Sequence, residues 1–136
     1  MNITLRAGER IYINGAVLRV DRKATLELMN DATFLLETHV MKAEDATTPL
    51  RQIYFVVQVM LMDPASARNT SQLAASLIEK AREAFESLQI RRGLDSILDL
   101  IGRARYFEAM KALRLMYPLE QAEMFPAAEG QTPHAA

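Results

Sequence analysis

The chain has 136 residues, half of them apolar, with 16 Lys and Arg against 17 Asp and Glu for a net charge of −1. That length fits one ordinary domain, and so even a balance excludes a protein held to nucleic acid by bulk charge. The absence of Cys rules out disulfides, a thiolate nucleophile and zinc-thiolate sites, and His39 and His134 alone make no metal cluster, so neither metal nor cofactor is expected.

Met1 to Gly8 lacks the apolar stretch of a signal peptide, and the longest apolar run, Ile53 to Met62, contains Gln58 and is too short to span a bilayer. The expectation is a cytoplasmic protein with no membrane contact. Asn2 to Arg6 reads as a first strand and Ala7-Gly8 as a turn. The β-rich runs Arg10 to Asn14 and Ala16 to Val20 meet at Asn14-Gly15, the pair that supplies the two positive φ angles of a type I′ hairpin. Asp21 to Lys23 turns into Ala24 to Met29, where Leu26 and Leu28 alternate with Thr25 and Glu27 as in a half-buried strand. Asn30-Asp31 turns again, and Thr33 to Glu37 is a further strand. Five short strands in a meander is the simplest arrangement.

From Thr48 the period becomes helical. Thr48-Pro49 offers a cap with Pro in the first turn, and Asp63-Pro64 closes the segment. The β-branched residues of Ile53 to Met62 would allow a strand, whereas its length and caps favour a buried helix. Leu73, Leu77, Ile78, Ala81, Phe85 and Leu88 form one stripe of an amphipathic helix, with Asn69, Thr70 and Ser71 as capping candidates. Leu94, Ile97, Leu98 and Ile101 make a third pattern; Tyr106, Met110, Leu113 and Tyr117 make a fourth, ended by Pro118. Gly102 either separates these two helices or bends a single one. The prediction is therefore an α+β fold: an antiparallel β module over 1–47, a helical module of three to four helices over 48–125, and a mobile tail over 126–136.

Charge is less even locally than in total. Residues 90–117 hold six Lys and Arg against three Asp and Glu, a net +3, and residues 118–136 carry −3. Arg91, Arg92, Arg103 and Arg105 are the candidates there for contact with a partner, weighed against an ordinary solvated helix face. Arg6, Arg10, Arg19, Arg22 and Lys23 cluster in sequence around the hairpin, and Arg suits phosphate forks and base edges. Among the aromatic residues Tyr12 is the open candidate for stacking on a base, while Tyr54 and Phe55 fall in the apolar run and belong to the core. No phosphate-binding glycine loop, zinc-protease motif or nucleophile elbow occurs, so an enzyme is not expected. The eight Met residues fill an irregular core or line an adaptable groove for a partner helix.

Three blocks taken together resemble the FlbT family of flagellin regulators of the alphaproteobacteria: Gly8-Glu-Arg-Ile-Tyr-Ile-Asn-Gly-Ala-Val17, Thr48-Pro-Leu-Arg-Gln-Ile-Tyr-Phe55 with Met60 to Pro64, and Tyr106-Phe-Glu-Ala-Met-Lys-Ala-Leu-Arg114 before Pro118-Leu-Glu120. The resemblance implies regulation of flagellin after transcription, through the untranslated leader of flagellin mRNA and its translation or decay. Some members repress and others activate, and the family is tied to FlaF, a small regulator of the same step. Residues Leu5 to Met41 are also similar to the carbon storage regulator, an intertwined dimer that grips RNA with its first strand and a basic residue near its last. Arg6 falls on the first-strand position, but the last-strand basic position aligns near Glu37.

The function expected from this resemblance is a post-transcriptional regulator acting on the flagellin leader, with Arg6, Arg10, Arg19, Arg22 and Lys23 on phosphates and bases and Tyr12 stacking. The rival expectation is an adaptor whose helices bind flagellin, FlaF or both. A homodimer fits either reading, since a small β module has edges to close.

Overall fold

The computed structural model describes residues 1–30 and 32–126; the tail expected over 126–136 lies outside them from residue 127 onward. Five strands, β1 (Asn2–Leu5), β2 (Arg10–Ile13), β3 (Ala16–Arg19), β4 (Ala24–Glu27) and β5 (Phe34–Leu36), precede four helices, α1 (Pro49–Met62), α2 (Ala67–Ala84), α3 (Leu88–Gly102) and α4 (Tyr106–Met124). This is the predicted α+β order, and among the described residues no helix is long and apolar enough to cross a membrane.

Asn14 and Gly15 take φ values of 49° and 81°, forming the type I′ turn that joins β2 to β3. Ile13 faces Ala16 and Arg10 faces Arg19. Farther from the turn, Leu5 faces Ala24 and Asn2 faces Glu27. Residues 6–9 on one arm and 20–23 on the other separate the two ladders; pairing is interrupted there, with Val20 bonded to both Gly8 and Glu9, and resumes in the same numerical register, so β1–β4 is the distal half of one long hairpin. The meander expectation is thereby corrected: β5 pairs with β2, giving a sheet ordered β3-β2-β5 beside the separate pair β1-β4. The physical reason is burial. The hairpin bends at 6–9, and its distal half folds Ile3, Leu5 and Leu26 against Ile11, Phe34 and Leu36 in a small core of their own. Strand β3 is left as an edge with all four residues exposed, Val17 at 56% and Leu18 at 48%.

The other face of the sheet delivers Tyr12 and Leu35 to the main core among the helices. Helix α1 lies at its centre, with Leu50, Ile53, Tyr54, Val56, Val57 and Met60 buried around most of its circumference, so the Ile53 to Met62 run is helical. Thr48 caps it, its Oγ1 accepting the Arg51 N–H at 3.2 Å, and Pro49 opens it. Gln58 is buried too. Its amide accepts from Met41 N–H at 2.8 Å and donates to Met41 O at 2.9 Å, clamping the segment that links the sheet to the helices.

Three details of the helices depart from the sequence pattern. Helix α2 starts at Ala67, so Thr70 and Ser71 are internal, their hydroxyls donating back to the Ser66 and Arg68 carbonyls at 2.8 and 3.0 Å rather than capping. Its buried line is Ala74, Ile78 and Ala81, with Leu73 exposed, because small side chains let α2 lie close to α1; Phe85 is extended and buried after the helix, and Leu88 opens α3. Pro118 does not end α4, which continues to Met124. Proline removes one N–H from the ladder, yet Glu120 and Glu123 on the following turn bond to the starts of α1 and α3, and these contacts hold the helix beyond it. Gly102 does separate α3 from α4.

Candidate functional site

The bend in the long hairpin makes a cleft. Gly8 at φ 83° turns the first arm; the Glu9 N–H donates to Arg6 O at 3.0 Å, and the Glu9 carboxylate accepts the Arg6 N–H at 2.5 Å. The β1–β4 register, carried one residue past the Leu5–Ala24 pair, places Arg6 opposite Lys23 at this bend. With Arg10 from β2 and Glu37-Thr38 from the turn after β5, they line a cavity of about 400 Å³ that also meets Thr4 and Glu9.

Register explains the company Arg10 keeps. It faces Arg19 on β3, and the β2–β5 register carried one residue on brings it to Glu37, whose carboxylate lies 3.9 Å away. The next row of the same face is Val17, Tyr12 and Leu35. Tyr12 and Leu35 of this row thus dock on the helical core, with Val17 exposed at its end and a charged row at its rim. The Arg10–Glu37 pair is about half exposed and at the limit of ion-pair distance, so it contributes little stability and leaves Arg10 free to turn to a ligand.

The structure brings Arg6, Arg10 and Lys23 together in the cleft and leaves the other proposed residues elsewhere. Arg19 is exposed on β3, Arg22 pairs loosely with Asp21 at 3.7 Å in open solvent, and Tyr12 is half-buried against the helical core rather than projecting from the hairpin. Three cations face two carboxylates, Glu9 and Glu37, inside the cleft. Such a set suits a few directed guanidinium and ammonium contacts to phosphate oxygens, not a broad electrostatic stripe. The Thr4 and Thr38 hydroxyls are lining groups that sequence reasoning missed; Thr38 was findable as the neighbour of Glu37, and Thr4 only through the bend.

The four helical arginines do not form one patch. Arg91 Nε donates to the Phe85 carbonyl at 2.8 Å, closing the gap between α2 and α3. Arg103 pairs with Asp99 at 3.4 Å and Arg105 with Glu108, each on its own stretch of chain. Arg92 is exposed on the first turns of α3, roughly 16 Å of helix rise from Arg103.

Comparison with known proteins gives a consistent answer. The profile of the family described as flagellar protein FlbT matches residues 1–124. A protein of Bradyrhizobium diazoefficiens named probable flagellum biosynthesis repressor protein FlbT 2 is 54% identical over 122 residues, covering 90% of each chain. Proteins named probable flagellum biosynthesis repressor protein FlbT from Chelativorans sp. and Brucella ovis are 48% and 49% identical, over 88% and 93% of this chain and 82% and 83% of their own. No solved structure matches. The chain belongs to the FlbT family of flagellar proteins.

Proposed function

We propose that this protein regulates flagellin synthesis after transcription, in the cytoplasm, by seating the untranslated leader of flagellin mRNA on the cleft at the hairpin bend. Arg6, Arg10 and Lys23 take phosphate oxygens there, Arg19 and Arg22 extend the contact along the outer face, and the bound protein changes access of ribosomes or nucleases to the leader. The observation that carries this reading is the convergence of Arg6, Arg10 and Lys23 on one cavity in a chain whose relatives are named flagellum biosynthesis repressors. Filter binding of the pure protein to a flagellin leader and to a scrambled RNA tests it. The expected result is preference for the leader, affinity that falls steeply with salt, and a loss of at least about tenfold in the Arg6→Gln, Arg10→Gln, Lys23→Gln triple variant. Equal binding of both RNAs would overturn it.

A second reading is favoured by Glu9 and Glu37, which place two carboxylates where a polyanion would sit. In it the protein is an adaptor for flagellin or FlaF, and its effect on mRNA is indirect. Co-expression with each protein separates the two: the adaptor reading requires a complex that survives purification without RNA.

A further inference from the structure

A second concave surface lies on the other side of β5. Strand β5 has β2 on one edge and, among the described residues, no strand on the other. Val20 exchanges hydrogen bonds across the hairpin, with its N–H to Glu9 O and its C=O to Gly8 N–H, so by alternation Leu18 and Ala16 also point toward β2. Residues Ile11 and Ile13 then point to β3, and Tyr12 is the β2 residue turned toward β5, where it faces Leu35. The N–H and C=O groups of Phe34 and Leu36 consequently point to the open edge, two residues and roughly 7 Å apart, the spacing at which an added strand pairs.

That strand borders a cavity of about 300 Å³ lined by Met1, Phe34, Leu36, His39, Met110 and Arg114, with Tyr54 and Phe107 also on its walls. Its walls are mostly apolar, its charged lining residues are the cations Arg114 and Met1 with its terminal ammonium, and no carboxylate lines it. Arg114 is exposed and has no carboxylate partner among the described residues. A mostly apolar cavity, an unpaired strand edge along it and an exposed Arg114 without a carboxylate together describe a peptide groove: main-chain bonds from the edge, a side-chain pocket, and a positive charge that fixes the direction of the occupant. A fatty acid would use the pocket and the cation but leave the edge groups unpaired.

We propose that this groove binds an extended segment of a partner protein, which adds as a strand to the free edge of β5, places a bulky apolar side chain against Phe107 and Met110, and sets a carboxylate on Arg114. The site is separate from the cations of the RNA reading and stands whether or not that reading holds. The experiment is a titration of the full, nitrogen-15-labelled chain with a blocked pentapeptide of alternating threonine and leucine carrying one glutamate, with a phenylalanine version beside it. Saturable shifts of the Phe34 and Leu36 amides are expected. Methylating the two peptide nitrogens that face β5 should weaken binding about tenfold or more, since it removes the donors and blocks the edge. Arg114→Gln, on an exposed side chain, should weaken the glutamate peptide about threefold or more and leave its glutamine analogue unchanged. Four results would each overturn the proposal: no saturable shift with either peptide up to about 1 mM; indifference to methylation with octanoate competing equally, which marks a pocket for small apolar acids; shifts at the same amides on raising protein concentration alone, which marks a second copy; or shifts there with leader RNA and not with the peptides.

Discussion

The Thr48 hydroxyl donates to Glu120 Oε1 at 2.6 Å, joining residues 72 apart in sequence. The second carboxylate oxygen of Glu120 accepts the Leu50 N–H at 2.7 Å, while Thr48 accepts the Arg51 N–H, so the cap of α1 is shared between its own threonine and a side chain from the far end of the fold. The anion sits where the amide dipoles of α1 leave partial positive charge, which is how a carboxylate only 1% exposed is tolerated. One turn later Glu123 accepts the Glu86 and Ser87 N–H groups at 2.8 and 2.9 Å ahead of α3. The last turn of α4 thereby ties two helix N-termini together.

Glu120→Ala strands the Thr48 hydroxyl and the Leu50 N–H in a buried site. A loss of about 3 kcal/mol is expected in urea denaturation. Glu120→Gln keeps one acceptor but turns an amide donor toward another donor, so it should lose about half as much. A loss under about 1 kcal/mol for the alanine variant would show that the bridge is not what holds α4 beyond Pro118.

Gln58 is the one buried polar side chain inside α1, and both ends of its amide bond to the Met41 backbone. Gln58→Leu fills the space but leaves the Met41 N–H and C=O without partners. The expected loss is about 2 kcal/mol, with amide exchange at Met41 accelerated more than exchange in the middle of α1. Uniform acceleration throughout the chain would show instead that the clamp has no local role.

Gly15 combines a φ of 81° with a tip that docks on the start of the α1–α2 connection, where an added Cβ would lie 3.2 Å from Pro64 Cδ. Gly15→Ala therefore strains the turn and crowds that contact. It should lower stability by about 1–2 kcal/mol by thermal or urea denaturation. Gly8→Ala, with the same sign of φ but nothing within 4 Å of the added Cβ, should cost less.

These positions show what a sequence carries and what it does not. Asn14-Gly15 and Thr48-Pro49 act within a few residues, and the hairpin and the start of α1 stand where those signals put them. Pairing β5 with β2 instead of β4 depends on how the bent hairpin buries Ile3 and Leu5, a choice between distant surfaces that no local pattern records. The same holds for the α2 face, where Leu73 fitted the stripe but Ala74 allows the closer approach to α1. In the candidate site, the cluster of cations was visible as proximity in sequence. That Arg6 and Lys23 share a cleft follows only from the register extended through the bend, and the peptide groove joins β5 to α4 with no sequence proximity at all. Pro118 misled because its local effect was offset by Glu120 and Glu123, whose partners lie at the other ends of the helices.

Glu37 lies 3.9 Å from Arg10 and lines the cavity that holds Arg6 and Lys23. Its removal as an anion should favour a polyanion there. Under the proposed function Glu37→Gln raises affinity for leader RNA by roughly threefold to tenfold at moderate salt and steepens the dependence on salt, because one more cation becomes available to a phosphate. Filter binding across a salt series checks this; unchanged affinity and slope would place the RNA away from this cleft.

Tyr117 offers a test of the core that runs through pH. Its hydroxyl is buried and meets no hydrogen-bond partner among the described residues, and the Arg51 guanidinium lies 4.3 Å over its ring. Burial above all, with Tyr54 and Glu120 adding to it, pushes the phenol well above its ordinary value of 10, against the opposing pull of Arg51 and Arg114. Tyr54, 6.2 Å away between ring centroids, is raised as well, by its burial and against Arg114. A group whose folded value is raised contributes stability that is complete below the unfolded value and is lost as pH climbs through the folded one. Stability should therefore fall above about pH 10, where the unfolded chain's tyrosines ionise and the folded protein's buried pair do not. Tyr117→Phe removes both the unpaired hydroxyl and its titration. At neutral pH it should leave stability unchanged or raise it by up to about 1 kcal/mol, and the alkaline loss should become shallower. Urea denaturation at pH 7 and at about pH 10.5 measures both effects, and a drop of more than about 2 kcal/mol at pH 7 would mean that the hydroxyl is bonded in solution, most simply by a trapped water, and contributes to the packing of α4 on α1.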